Sequence, residues 1–401
     1  MKLLRLAYLP VLAAAWALAA YVLWQSKVPS SLHLPHLDEH TYFARPQLHA
    51  ASTFSHFADL MWWCGTIVEL LGLAVYARYG ARWTRESAAG PIGTGMLLGM
   101  LGFALVWLLE LPFGLLTLWW ERRHHLSRVG YATYVFGGWL ALAGTALFLC
   151  VALAIVIGLA RFAPRRWWIA AAPAFVGLTL LFAFVSPYLV GASRLRDPRL
   201  RAIAARLERA EGVVRVPVDV QTMHDTTSLP NAEAMGIGPS RRIVLWDTLL
   251  DGRFGTRELA FVLAHEIGHL ARNHIWKDVG WYALFAFPGT FLLARAAGRH
   301  GGMRNPEAVP LTLLVLVVLG LLALPLQNAI SRHMEAEADW MALRTTHDPS
   351  AAVALFRRFQ STTLEEPNPP TWDYYMLENH PTLMQRIEMA GAYATSAAQS
   401  P

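Results

Sequence analysis

Residues 309–339 read VPLTLLVLVVLGLLALPLQNAISRHMEAEAD. The first 22 of them, Val309–Ile330, hold no charged side chain. As a helix rising about 1.5 Å per residue they span roughly the 30 Å of a bilayer's hydrocarbon. Ser331–Asp339 then turns polar without a Gly or Pro to break the helix. One helix is therefore expected to cross the membrane and present Glu335 and Asp339, four residues apart, on a single face beyond it.

Six further apolar runs are long enough to be read as spans: Leu6–Trp24, Ala58–Tyr76, Gly95–Trp119, Thr133–Leu159, Trp168–Leu189 and Trp281–Ala297. The first follows Lys2 and Arg5 and exceeds the apolar core of a signal peptide, so it is expected to be a retained helix. The run at Trp281–Ala297 is short and broken by Pro288-Gly289. Composition agrees with a life in lipid: 55% of residues are hydrophobic and 15% charged, against about 25% charged in soluble domains. The mean hydropathy is +0.34. The net charge of +6 comes with no Lys/Arg block, which argues against a nucleic-acid partner and for arginines flanking membrane helices. Only Cys64 and Cys150 occur, both in apolar runs, so a disulfide framework and a Cys-type zinc knot are excluded. Glu69 and Glu110 fall at membrane depth, where a carboxylate either faces a water-filled interior or is protonated or snorkelled.

Two hydrophilic stretches remain, Ser193–Gly280 and the segment from Ser331 onward. In the first, Asp197–Ala210 is amphipathic with helical spacing, Val213–Gln221 alternates as a strand, and Arg242–Trp246 is a short apolar strand. Thr256 is placed to cap the next helix. The chain thus divides into a transmembrane region (1–192), a loop domain (193–280), two further transmembrane helices (281–330) and a C-terminal segment (331–401). The expected fold is mainly α, a polytopic membrane protein with about seven transmembrane helices. A zincin-like α+β domain is built from the loop between helices five and six together with the C-terminal segment.

The loop domain contains His265-Glu266-Ile267-Gly268-His269. On a helix, His265 and His269 lie on one face, so both imidazoles can reach one ion at about 2.0–2.1 Å. Glu266 then projects beside that ion and can take a proton from water. With 15 His in 401 residues, chance produces this pattern only about 0.02 times per chain. A catalytic zinc needs a third protein ligand, and Glu335 or Asp339 supplies it, the other carboxylate bracing a ligand histidine. Glu337 points away from that face, and His333 is a rival ligand lying off it. The histidines of the first loop, His33, His36, His40, His49 and His56, are too irregularly spaced for a metal site and read as surface residues.

These residues resemble the type I CAAX prenyl endopeptidases, seven-helix membrane zinc proteases of the gluzincin type. The resemblance runs in order through Asn231-Ala232, Arg241–Leu250, His265–His269 with His274, Ser331-Arg332 with Glu335 and Asp339, and His380-Pro381 with Arg386. It implies one Zn2+ per chain on His265, His269 and Glu335, Glu266 as general base, and Asp339 hydrogen-bonded to a ligand histidine. It further implies that His380 and Arg386 stabilise the oxyanion, and that Asn231 and Ala232 sit on an edge strand that pairs with the substrate backbone. The implied activity is endopeptidase hydrolysis of peptide or protein substrates, lipidated or membrane-associated. The rival within proteases is a heat-shock-type quality-control enzyme. A seven-helix transporter or receptor would leave Glu335/Asp339 and His380/Arg386 without a role. A composition rich in Ala, Arg, Leu and Trp and poor in Lys points to a bacterial inner membrane, and the resemblance implies a cytoplasmic catalytic face.

Overall fold

The computed structural model describes residues 2–84 and 89–399. Five helices open the chain: α1 (Lys2–Leu23), α2 (Arg45–Tyr79), α3 (Gly90–Arg123), α4 (Trp139–Phe162, preceded by a π turn at Thr133–Gly137) and α5 (Trp167–Leu189). Then follow β1 (Ala192–Arg194), α6 (Pro198–Ala210), β2 (Val218–Gln221), β3 (Ala232–Met235) and β4 (Arg242–Trp246). The remainder is helical: α7 (Thr256–Ala271), α8 (His274–Ala297), α9 (Val309–Thr346), α10 (Pro349–Thr363), α11 (Thr371–Met376) and α12 (Leu383–Gln399).

All seven apolar runs lie in helices. Among the described residues, five helical segments are long and apolar enough to cross a membrane: Arg45–Arg82, Gly90–Arg123, Thr133–Phe162, Trp167–Leu189 and Pro306–Thr346. The count of seven is therefore not reached on length and composition. The apolar part of α1 is the shorter Pro10–Leu23, and α8 opens on the polar turn His274–Asp278 and carries Pro288 within it. These two helices pack on each other: Trp16 Nε1 donates to the Leu284 carbonyl at 3.2 Å, and Trp24 meets Trp281 edge-on at 6.2 Å. Glu110 lies against Gly65 of α2, where an added Cβ would come 2.7 Å from its carboxylate. Its Oε1 is buried without a hydrogen bond.

Helix α9 has 38 residues, about 57 Å at 1.5 Å per residue and nearly twice the hydrocarbon thickness. Its C-terminal half accordingly stands clear of the bilayer and enters a second core. There Ile243 and Leu245 of β4, Phe261 and Ile267 of α7, Leu343 of α9, Phe356 of α10 and Ile387 of α12 are almost wholly buried together. The sheet order is β1-β2-β4-β3, with β2 and β4 parallel and the outer pairs antiparallel. Strand β4 has the expected bounds, while the Val213–Gln221 strand shortens to Val218–Gln221. The preceding residues fold back on α6, where Glu208 accepts from Val216 N through its side chain and from Val213 N through its carbonyl.

Candidate metal centre

Helix α7 is buried from Phe261 to Gly268, so its polar residues are there by constraint. Its cap is Gly255 rather than Thr256: Glu258 reaches back to accept from Gly255 N and also pairs with Arg358 of α10. Gly268 permits the close approach of α9. A Cβ there would stand 3.3 Å from Met341 Cβ and 3.4 Å from the Ala338 backbone. Packed this tightly, α7 and α9 bring residues 70 positions apart in sequence into one site.

His265, His269 and Glu335 offer donor atoms that all lie within 4.8 Å of one another. His265 Nε2 is 3.0 Å from His269 Nε2 and 3.1 Å from Glu335 Oε2, and His269 Nε2 is 3.5 Å from Glu335 Oε1. A tetrahedral ion with bonds of about 2.1 Å holds its ligands about 3.4 Å apart, so the spacing suits such an ion. Glu335 Oε2 is buried and, although close to His265, has no hydrogen bond of acceptable angle. A buried carboxylate oxygen of that kind is costly unless a cation or donor meets it.

The outward nitrogens of both histidines are engaged. His265 Nδ1 donates to Asp339 Oδ1 at 2.9 Å, and Asp339 is gripped by Arg386 through Nε–Oδ2 at 2.7 Å and Nη2–Oδ1 at 2.8 Å. On the other side, His274 Nε2 donates to Glu337 Oε2 at 3.0 Å. That leaves His274 Nδ1 as the acceptor for His269 Nδ1–H at 2.9 Å. Both chains fix the tautomers so that the Nε2 lone pairs of His265 and His269 face Glu335. Burial, helped by nearby His269, lowers the His274 pKa to about 4, which keeps it in the neutral form this relay requires. Burial opposes charge on His265, but Asp339 and Glu335 draw its pKa up to about 10. The donor set therefore attracts positive charge.

Glu337, read from sequence as pointing away, does so, but it is not idle. It is wholly buried and accepts from Lys27 N, Arg272 Nε, His274 Nε2 and Lys277 Nζ at 2.7–3.0 Å. Arg272 and Lys277 are the residues that sequence reasoning left out of the site; His274 entered only through the resemblance, without a role, and Glu337 was read as pointing away. A basic residue on either side of His274, facing an acid two positions after a ligand, was the available signal. His333 is not placed as a ligand: its Nε2 donates to the Trp24 carbonyl at 2.8 Å and its ring stacks on Trp24. The five histidines expected in the first loop are exposed, though His49 and His56 lie in the first turns of α2 rather than in a loop.

A cleft of about 270 Å³ opens beside His265 and Glu266, and Asn231, Ala232, His380 and Arg386 line it. His380 Nε2 is 3.3 Å from Glu335 Oε2, and burial holds its pKa below the usual imidazole range. Arg386 faces the cleft with its guanidinium over Phe356 at 4.3 Å, two of its donors held by Asp339. Strand β3 has one neighbour, β4. The Asn231 carbonyl accepts from Trp246 N at 2.9 Å, and antiparallel alternation then turns the backbone groups of Ala232 and Ala234 to the open edge.

The chain is similar to known proteins over this region. The chain is 29% identical over 241 residues to an uncharacterised metalloprotease, YhfN, of Bacillus subtilis, covering 56% of each chain. It is 28% identical over 233 residues to Protease HtpX homolog 1 of Streptomyces coelicolor, covering 51% of this chain and 73% of that one. It is 29% identical over 170 residues to the CAAX prenyl protease 1 homolog of Oryza sativa, covering 40% of each. The matched part thus spans little more than half of the Bacillus protein's length. The fold is that of S. mikatae Ste24p, at a TM-score of 0.68 and 19% identity, over 94% of this chain and 96% of that one. The model of peptidase family M48 matches residues 194–394, from the last residue of β1 into α12, and takes in His265, Glu266, His269, Glu335, Asp339, His380 and Arg386; the chain belongs to peptidase family M48.

Proposed function

We propose that the protein is a membrane-embedded zinc endopeptidase in which His265, His269 and Glu335 hold one Zn2+ and Glu266 is the general base. The observation that carries this reading is the convergence of two tautomer-fixed imidazoles and a buried carboxylate oxygen at the mouth of a cleft. Two histidines and one carboxylate with an open fourth position are the donor set of catalytic zinc. When bound, the ion supplies a Lewis acid that acidifies water and polarises the scissile carbonyl. Glu266 takes a proton from the attacking water and returns it to the leaving amine. His380, at the cleft wall, donates to the oxyanion that develops on the scissile carbonyl. Arg386 holds Asp339, and through it His265, while its remaining face adds positive charge to the cleft. A substrate segment adds to the open edge of β3 by main-chain hydrogen bonds to Ala232 and Ala234, with Asn231, whose own carbonyl is held by β4, lining the cleft just before the strand.

Removing metal tests the reading as a whole. Dialysis against a chelator is expected to abolish peptide hydrolysis and Zn2+ to restore it; full activity in metal-free protein would refute it. The outer partners should matter less than the ligands. His274→Ala is expected to weaken zinc affinity by about 10–100-fold, the usual cost of losing an outer hydrogen bond, measured by competition with a fluorescent chelator. Unchanged affinity would remove His274 from the relay.

The substrate reading is a processing protease for lipidated, CAAX-type carboxyl termini rather than a quality-control enzyme, working at the cytoplasmic face of a bacterial inner membrane. The similarity to the CAAX prenyl protease 1 homolog over 40% of this chain supports the first half of that statement. A farnesylated CAAX peptide is expected to be cleaved faster than the same peptide unmodified. Equal or reversed rates would favour the quality-control alternative. Protection of a C-terminal tag from added protease in inside-right cells would place the catalytic face in the cytoplasm.

A further inference from the structure

The cleft beside Glu266 is two-sided in chemistry. One wall is apolar, formed by Phe261 and Val262 one turn before His265 and by Leu355 and Phe359 of α10. Two acidic residues, Glu365 and Glu378, also line the cleft, and neither is used by the proposed hydrolysis. Both are placed by backbone features rather than by ion pairs. Leu364 ends α10 in the left-handed region at φ 57°, and Glu365 N then bonds to Thr363 Oγ1 at 3.2 Å, turning the side chain to the cleft. At position 378, the amide donates to the Asp373 carbonyl, and the carbonyl accepts from Arg332 of α9. Glu378 is thereby held two residues before His380.

The nearby cations are engaged elsewhere. Arg386 is bidentate to Asp339, and Arg332 serves the backbone at Tyr374 and Glu378 and lies over the Tyr374 ring at 4.0 Å. Among the described residues neither carboxylate has an ion-pair partner within 4.0 Å. Burial raises Glu365 to about 7, and burial together with the proximity of Glu365 and Asp373 raises Glu378 to about 8. A third carboxylate, Glu233 of β3, lies next to Ala232. The cleft thus holds two neighbouring carboxyl groups that carry only part of their charge on their own, and a cation entering between them would hold both as carboxylates.

Resting on the peptidase reading above, we infer that this cleft is a specificity pocket for a basic substrate side chain. The aliphatic stem of a Lys or Arg lies against Phe261, Val262, Leu355 and Phe359, and its cationic head lies between Glu365 and Glu378. Long basic side chains suit such a channel because an apolar stem and a charged tip are wanted at different depths. An extended peptide on β3 turns every second side chain to one face, so a single residue flanking the scissile bond enters the pocket.

The test uses full-length protein in lipid nanodiscs and three peptides that differ only at one flanking position, carrying Lys, Gln or norleucine. Scanning that position on both sides of the cut locates the pocket. The Lys peptide is expected to exceed norleucine in kcat/KM by roughly tenfold or more. In the E365Q/E378Q double variant that advantage should vanish while norleucine cleavage stays within about twofold of wild type. Equal wild-type rates, a Gln preference, or an equal loss on all three peptides would overturn the inference. The same peptides are titrated onto Glu266→Gln protein by fluorescence anisotropy, which reads the cleft apart from chemistry. Tighter Lys binding with no hydrolysis by wild type would sink the peptidase reading and leave the pocket standing. Equal binding of all three would sink the pocket whatever the enzyme does.

Discussion

Glu266→Gln is expected to lower peptide hydrolysis by roughly 10²–10⁴-fold, the usual contribution of a positioned general base, while zinc content stays at one ion per chain. The amide is isosteric with the carboxylate and keeps the packing of α7, where Glu266 is 6% exposed, but it cannot accept a proton from water. The two readouts separate the claims. Wild-type turnover in the variant would end the general-base assignment, whereas loss of zinc would mean that Glu266 belongs to the binding set. Parallel elemental analysis and kinetics on one preparation distinguish these results.

Glu335→Ala is expected to remove the metal itself. The substitution deletes a carboxylate whose two oxygens stand 3.1 Å and 3.5 Å from the ligand nitrogens. It leaves two imidazoles facing each other, with His265 still drawn towards protonation by Asp339. Zinc affinity should fall by far more than the about 10–100-fold expected when an outer partner such as His274 is lost, and hydrolysis should fall to background. Stoichiometric zinc in Glu335→Ala would strike Glu335 from the ligand set and make Asp339 or His380 the third donor to consider. Fluorescence-detected size-exclusion of the variant checks that the fold survives; Glu335 lies within the C-terminal half of α9 and is not part of either large apolar core.

The parts of the site that could be read from sequence are those encoded by local spacing. His265 and His269, and Glu335 and Asp339, are each four apart on a helix, and helical geometry alone puts each pair on one face. Spacing left open which of the two carboxylates would brace a ligand histidine; the resemblance implied Asp339, and the structure shows it on His265. Residues joined by tertiary packing were less visible. Glu337, two positions after Glu335, lies on the far side of α9, and its importance appears only because α8 turns back after Asn273, in the left-handed region at φ 54°, to place His274 under His269. His380 and Arg386 are over 40 residues beyond Glu335 in sequence, and periodicity alone gave no reason to bring them near; their place rested on resemblance. Arg386 also takes a role spacing could not suggest, as the bidentate partner of Asp339.

The fold was legible to a similar degree. Long apolar runs marked the helices because hydrocarbon demands them, and Arg242–Trp246 marked β4 by its β-branched and aromatic content. Strand β1 went unseen: three residues, Ala192–Arg194, become a strand only by pairing with β2. The count of seven spans was too simple for α1 and α8, whose polar ends and mutual packing through Trp16, Trp24 and Trp281 are tertiary facts. Extended length in α9, by contrast, was written in residues 309–339 and explains how one helix both runs through the apolar region and brings Glu335 to His265 and His269.

The central claim is that one zinc ion sits between α7 and α9. An anomalous difference map collected on either side of the zinc absorption edge, from crystals of the metal-loaded full-length protein, tests it most directly. The account predicts a single zinc peak about 2.0–2.2 Å from His265 Nε2, His269 Nε2 and a Glu335 oxygen. A zinc peak held by other residues, or a metal-loaded protein with no peak among these three, would contradict it.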